Sequence, residues 1–140
     1  MFFQQIKVEG LACFSYIIGC PQDGRAFVVD PKRDVDDYVS IADKNGFAIT
    51  GIIDTHVHAD HISGAHELRA QTGADIYIHE KAGVDYEHKP LHDGDCFELG
   101  SVGIDVIYTP GHTPNSITLA ITDKARGNSP EIILTGDLLF

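Results

Sequence analysis

The chain of 140 residues has the length of one domain, and its hydrophobic fraction of 43% is sufficient for a packed core. Its formal net charge of −11 argues against nucleic acid or an anionic membrane as a partner, because both require a basic surface. The first residues lack the basic segment and the long apolar run of a secretory signal, and no run near them is long enough to span a bilayer. We therefore expect one domain over residues 1–140, located in the cytoplasm.

Three strands are predicted at the start of the chain, over Phe2–Val8, Ala12–Ile18 and Ala26–Asp30. Gly10 separates the first two, and residues 19–24 have the composition of a turn. Such closely spaced strands are typical of an antiparallel meander.

The next elements alternate between helix and strand. A helix over Val35–Asn45, capped by Asp34 and ended by Gly46, precedes a strand over Ala48–Asp54. A second helix, from about Gly64 to Thr72, precedes a strand over Asp75–His79. This order predicts an α/β layered fold.

The second half of the chain is predicted to be mostly strand. Residues 80–91 are charged and irregular, which favours a surface loop. The predicted strands that follow are Cys96–Leu99, Val102–Tyr108, Ser116–Thr122 and Glu131–Thr135. Large apolar residues occupy every second position from Val102 to Tyr108, which indicates that one face of this strand is buried.

The three cysteines are Cys13, Cys20 and Cys96, and none of them has C-x-x-C spacing. An odd number without that spacing is atypical of a disulfide framework or a cysteine zinc site. We expect three ordinary, half-buried thiols in a reducing compartment.

A cluster of possible metal ligands follows the strand that ends at Asp54. His56, His58, Asp60 and His61 lie within six residues, on a loop between a buried strand and a helix. On an extended segment, side chains two residues apart leave the same side of the chain. Imidazoles with a carboxylate suit Zn, Fe or Mn. The alternative is a polar loop that is rich in histidine by chance or binds metal fortuitously.

Three loops share one form, an apolar strand followed by a polar tip: Thr55–His61, Thr109–Pro114 and Gly136–Asp137. If the three strands lie side by side, their tips meet at one edge of the sheet. His112 and Asp137 would then join the histidine cluster.

The motifs H-x-H-x-D-H at residues 56–61, T-P-G-H at 109–112 and G-D at 136–137 resemble those of the metallo-β-lactamase superfamily. The residues that flank or accompany these motifs, Asp30-Pro31, Ser63-Gly64 and Ser116, are similar to those of persulfide dioxygenases of the bacterial rhodanese-fused type. Glyoxalase II hydrolases are the nearest other relatives. The resemblance covers essentially the whole chain.

The resemblance implies an αββα sandwich, of which the chain supplies the N-terminal half and the first strands of the second half. We therefore expect a truncated gene product or one part of a larger protein. The apolar run Leu138-Leu139-Phe140 and an incompletely covered sheet lead us to expect a homo-oligomer or a fold of low stability.

The resemblance to persulfide dioxygenases implies that one Fe(II) is held by His56, His112 and Asp137. The substrates would be O₂ and a small thiol persulfide, such as that of glutathione or coenzyme A, and the products sulfite and the thiol. His58, Asp60 and His61 would then orient ligands or substrate.

The resemblance to hydrolases implies a different use of the same side chains. His56, His58 and His112 would hold one Zn(II), Asp60 and His61 a second, and Asp137 would bridge them for thioester hydrolysis. Ligand types alone do not separate the two enzymes. A third interpretation is an incomplete metal-binding domain without activity.

Overall fold

A computed structural model describes residues 1–8 and 13–139 of the chain. The strands and helices within these ranges are β1 (Phe2–Lys7), β2 (Phe14–Cys20), β3 (Arg25–Val29), α1 (Asp36–Asn45), β4 (Ala48–Ile53), α2 (Ala65–Thr72), β5 (Asp75–His79), β6 (Lys89–Leu91), β7 (Cys96–Leu99), β8 (Val102–Tyr108), β9 (Ile117–Asp123) and β10 (Ile132–Leu134). Short 3₁₀ turns cover Glu80–Ala82 and Gly136–Leu138.

The strands form two sheets. The first sheet has the order β1-β2-β3-β4-β5-β6; its first three strands are the antiparallel meander that the sequence predicts, and β3 to β6 run parallel. The second sheet has the order β10-β9-β8-β7 and is antiparallel throughout.

Two hydrophobic cores join three layers, with helices, first sheet and second sheet stacked in that order. On β3, Ala26 and Val28 face α1 and α2, whereas Phe27 and Val29 face the second sheet, because successive side chains of a strand point to opposite faces. Ile104 of β8 lies in the core between the sheets. This architecture confirms the α/β sandwich prediction, with one helical layer on the described part of the chain.

The helices end as predicted but α1 begins differently. Gly46 and Gly73 close α1 and α2 in left-handed conformations, which glycine adopts without a steric penalty. The prediction that Asp34 caps α1 is wrong. The helix begins at Asp36 after Val35, and the Asp34 carboxylate accepts a hydrogen bond from the Asp36 amide at 3.3 Å instead.

Residues 80–91 are not a plain loop, because β6 extends the first sheet from within them. This strand of three residues contains Pro90 and lies at the edge of the sheet, where a proline is tolerated. The cysteines also differ from one another: Cys20 is buried, Cys13 is intermediate and Cys96 is exposed. Predictions that involve Gly10, Ala12 and Phe140 fall outside the described residues.

The three polar loops meet at one end of the sandwich, but not at the edge of one sheet as predicted. Residues 54–63 follow β4 of the first sheet, whereas the other two loops belong to the second sheet. A backbone hydrogen bond of 2.9 Å from the Ile117 amide to the Thr55 carbonyl joins the two sheets at this end. Neither described helix has the length and apolarity that a membrane crossing needs.

Candidate metal centre

His56, His112 and Asp137, which we call the triad, converge from both sheets although they are far apart in sequence. Their ligand atoms all lie within 4.8 Å of one another. Asp137 Oδ2 is 3.7 Å from His56 Nε2 and 3.6 Å from His112 Nε2, which is too long for hydrogen bonds. Such separations fit two ligands of one ion, because bonds of about 2.0–2.2 Å place neighbouring ligand atoms about 3–4 Å apart.

The His56 ring is oriented by Thr55 and Asp30. The Thr55 hydroxyl donates to Asp30 Oδ2 at 2.8 Å and lies 3.0 Å from His56 Nδ1. Since the hydroxyl proton is already used, Nδ1 must carry the hydrogen, which leaves the Nε2 lone pair facing Asp137. Burial, with the charge of nearby His58, also lowers the pKa of His56. His56 is therefore prepared to bind a metal through Nε2.

Gly136 allows Asp137 to approach His56. Its φ of 51° is left-handed, and a Cβ at this position would lie 2.6 Å from the Thr55 hydroxyl. Any larger residue would push the 3₁₀ turn and its Asp137 carboxylate away from the other two ligands.

The loop that carries His112 is fixed at both ends. The Thr109 amide donates to the Ser116 carbonyl at 3.0 Å, and the Tyr108 hydroxyl donates to the Pro114 carbonyl at 2.8 Å. The Tyr108 ring stacks on His79, with 4.3 Å between the ring centroids. His112, although 39% exposed, is thus held on a short and rigid loop.

His58 belongs to a second group, the Asp30 cluster, with Asp30 and Asp54. Its Nε2 lies 3.0 Å from Asp30 Oδ1, and Nδ1 has no hydrogen-bond partner among the described residues. Burial opposes charge on His58, but the hydrogen bond to Asp30 and the nearby carboxylates raise its pKa to about 9. Burial and the Asp30 charge raise the pKa of Asp54 to about 7.

Cys13, Asp60 and His61 form a third group, the thiol cluster. The Cys13 thiol donates to Asp60 Oδ2 at 3.2 Å, and His61 Nδ1 lies 3.0 Å from Asp60 Oδ1. The hydrogen bond from Cys13 lowers the pKa of Asp60 to about 2, whereas burial and Asp60 raise the pKa of Cys13 to about 12.

The structure thus places all six predicted site residues in three neighbouring groups. The ring centroid of His58 lies 4.3 Å from that of His56 and 4.3 Å from that of His61, so the groups adjoin one another. The ligand roles of these residues stay predictions. No sequence motif marks Asp30, Thr55 or Tyr108 as positioning residues, and Cys13 has the sequence context of an ordinary thiol.

A shared cavity of about 200 Å³ lies beside these groups. Polar residues on its wall include Asp30, His58, His61, Asp137 and Cys13. Apolar side chains complete the wall: Val8, Phe14, Leu139 and the ring of Tyr16. Two imidazoles and a carboxylate around one point form a donor set typical of Zn or non-haem Fe(II).

Comparisons with known proteins show the family to which the chain belongs. The sequence profile described as "Metallo-beta-lactamase superfamily" matches residues 8–140. Hydroxyacylglutathione hydrolase of Nitrosococcus oceani is 35% identical over 133 residues, which are 91% of this chain and 47% of that protein. The chain spans about half the length of such curated relatives.

Two crystal structures are similar over most of the chain. A metallo-beta-lactamase from Staphylococcus aureus has a TM-score of 0.93 and 34% identity, over 99% of this chain and 44% of that one. ETHE1 from Myxococcus xanthus has a TM-score of 0.81 and 30% identity, over 86% of this chain and 54% of that one.

Proposed function

Because the chain belongs to the metallo-β-lactamase superfamily, we propose that its triad binds one Fe(II) and that the protein oxidises a small thiol persulfide to sulfite. The superfamily and the nearest relatives named from the sequence are confirmed, whereas the choice between oxidation and hydrolysis is our proposal. Its substrates would be O₂ and the persulfide of glutathione, coenzyme A or a similar thiol.

The ligand set of the triad carries this proposal. His56, His112 and Asp137 supply two histidines and one carboxylate, the set found in non-haem Fe(II) oxygenases. His58 is bonded through Nε2 to Asp30, and the triad does not need it to complete this set. The similarity to ETHE1 supports the same choice.

Fe(II) held by the triad would supply open positions at which a sulfur and O₂ can meet. The protein then has to bind and orient the persulfide. Phe14, Tyr16 and Leu139 give the adjoining cavity an apolar wall on which the thiol substituent can pack and from which water is displaced. His58 Nδ1, buried and without a partner among the described residues, can donate a hydrogen bond to the polar sulfur group.

The overall reaction is balanced with water as a further reactant. The outer sulfur loses electrons to O₂ and ends as sulfite, water supplies the third oxygen, and the sulfur–sulfur bond breaks to release the thiol. Thr55 and Asp30 keep the proton of His56 on Nδ1 throughout, so that Nε2 stays available as a ligand.

The proposal is tested by loading the chain with Fe(II) without oxygen and measuring O₂ uptake and sulfite with glutathione persulfide and coenzyme A persulfide. We expect about one iron per chain. His112→Ala should lose both iron and turnover, whereas the control His66→Ala, an exposed histidine on α2, should keep both. Full iron and full turnover in His112→Ala would refute the ligand assignment.

Thioester hydrolysis with two Zn(II) is the second candidate. It is favoured by the two unpartnered imidazole nitrogens of His58 and His61 and by the similarity to hydroxyacylglutathione hydrolase. A chain that takes up two zinc ions, hydrolyses a glutathione thioester and consumes no O₂ would establish this candidate instead.

A further inference from the structure

The cavity beside the triad contains a sulfur atom that neither candidate function uses. Cys13 lies on its wall together with His58 and His61. The ligand atoms of Cys13, Asp60 and His61 all lie within 4.8 Å of one another, so this thiol cluster has the dimensions of an ion site of its own.

Asp60 organises the thiol cluster through both of its oxygens. One oxygen accepts the Cys13 thiol proton and the other lies 3.0 Å from His61 Nδ1. Because a carboxylate only accepts hydrogen bonds, His61 Nδ1 carries the hydrogen. In the neutral ring, Nε2 is then the nitrogen with the lone pair.

That nitrogen is an independent indication of a missing ligand. The His61 side chain is only 10% exposed, and its Nε2 is buried without a hydrogen-bond partner among the described residues. Buried nitrogens without partners are rare in folded proteins, and a bound ion can supply the partner that such a nitrogen lacks.

We propose that Cys13, Asp60 and His61 bind a thiophilic divalent cation such as Zn²⁺, with Cys13 as its sulfur ligand. Asp60 and His61 appear in the two-zinc alternative without sulfur; the new element is the thiolate, which makes the position select soft cations over Mg²⁺ or Mn²⁺. When the ion binds, the thiol proton is released to solvent and sulfur, oxygen and nitrogen each donate one bond.

The test uses Co²⁺ as an optical probe on the whole metal-free chain, without oxygen and with a phosphine reductant. A cobalt–thiolate bond gives an intense near-ultraviolet charge-transfer band, whereas imidazole and carboxylate ligands give only weak visible bands. We expect the near-ultraviolet band in the unmodified chain. Cys13→Ser should lose it and bind the corresponding ion more weakly by more than about 10-fold, since even outer partners of ligands contribute that much.

Cys96→Ser is the matched control, because Cys96 is an exposed thiol on β7 and should not affect the band. A band that persists in Cys13→Ser overturns the proposal, as does a chain that binds two Co²⁺ without any such band. X-ray absorption at the zinc edge tests the same claim on the unmodified chain. Absence of a Zn–S distance of about 2.3 Å would contradict the assignment of Cys13 as a ligand.

This proposal can fail separately from the proposed function. His112→Ala removes a triad ligand and should abolish persulfide oxidation, yet the near-ultraviolet band should remain because none of the thiol cluster is altered. Loss of the band in His112→Ala would show that no separate ion position exists. A band without O₂ uptake in the unmodified chain would overturn the proposed function alone.

Discussion

The triad and the Asp30 cluster contain the same chemical groups but are arranged differently. In the triad, Asp137 stands 3.6–3.7 Å from two imidazole nitrogens, and no hydrogen bond joins it to either. In the Asp30 cluster, His58 is hydrogen-bonded to Asp30 at 3.0 Å, and Ser63 donates to Asp54 at the same distance. Asp30 also accepts from the Thr55 amide at 2.7 Å and from the Thr55 hydroxyl.

The difference indicates how a protein reserves a position for an ion. In the Asp30 cluster, hydrogen bonds to one another, to Thr55 and to Ser63 satisfy the groups other than His58 Nδ1, so the cluster contributes to the fold in the absence of metal. The triad leaves the Nε2 lone pair of His56 facing Asp137 and keeps the His56 proton on the opposite side of the ring. We therefore expect changes in the Asp30 cluster to affect stability first and changes in the triad to affect metal binding first.

The largest effect is expected for Asp30→Ala. This variant leaves His58 and two donors of Thr55 without their buried acceptor, and loss of one partner from a buried ion pair costs about 3–5 kcal/mol. Chemical denaturation of the metal-free chain measures the loss. Asp37→Ala, which removes a carboxylate that is 59% exposed, is the control and should change stability by no more than about 1 kcal/mol.

The complementary variant is His112→Ala, which should leave the metal-free stability within about 0.5 kcal/mol because its side chain is partly exposed. If Asp30→Ala and His112→Ala destabilise the metal-free chain equally, the distinction between the two regions is wrong.

Thr55→Val comes next, because Thr55 links the two regions. The change keeps the shape but removes the acceptor of the His56 proton, and loss of such an outer partner lowers metal affinity about 10- to 100-fold. Thr50→Val is the matched control, because the Thr50 hydroxyl has no hydrogen-bond partner among the described residues. Competition with a chromophoric chelator gives both affinities, and equal affinities would exclude a role for the Thr55 hydroxyl.

A pH dependence of the metal-free chain is expected from the Asp30 cluster. The pKa of His58 is raised from 6.5 to about 9, so its stabilising contribution is complete below pH 6.5 and is lost as pH rises through 9. The pKa of Asp54 is raised from 3.8 to about 7, so Asp54 lowers the stability of the fold as pH rises from 3.8 to 7, where it is ionised only in the unfolded chain, and adds no further change above pH 7. Both effects have the same sign.

We therefore expect the free energy of unfolding to fall by roughly 1.5 kcal/mol between about pH 7 and pH 9.5, after allowance for the burial that opposes charge on His58. Urea denaturation with a chelator present measures this fall. A stability that rises over this range would contradict the assigned pKa values.

The smallest effect is expected for Tyr108→Phe. The variant keeps the ring stacked on His79 but loses the hydrogen bond to the Pro114 carbonyl, worth about 0.5–1.5 kcal/mol. We expect a loss of stability in that range and a several-fold weaker metal affinity through His112. Tyr77→Phe is the control, since no hydrogen bond from its hydroxyl occurs within residues 1–8 and 13–139. An unchanged affinity would show that the loop is rigid without this bond.

Much of the fold was predictable because its signals are local. Strand alternation and the glycines after α1 and α2 act within a few residues, so nearly every strand and both helices were predicted close to their observed bounds. β6 was missed because its three residues gain strand structure only by pairing with β5. Asp34 has the residue type of a helix cap, but the capping position of α1 is occupied one residue later by Val35.

The candidate site was predictable in composition but not in construction. A histidine motif after a strand indicates ligands, and polar tips on other strands indicate where further ligands come from. These polar loops come from two different sheets. They meet because of the way the sheets pack, and no local sequence pattern encodes that packing. The same holds for Asp30 and Cys13. Asp30 contacts His58, which is 28 positions later in the chain, and Cys13 contacts Asp60, which is 47 positions later, so both contacts require the folded structure.

The position of the triad across the two sheets gives a bound ion a mechanical role as well as a chemical one. One ligand comes from the end of the first sheet and two from the second, beside the backbone bond from Ile117 to Thr55. An ion there is a removable cross-link that closes a long segment of chain, and it adds stability in proportion to the logarithm of its concentration over its dissociation constant. Chelation should therefore loosen the sandwich at this end first, and the stability of the fold should rise with the concentration of the metal.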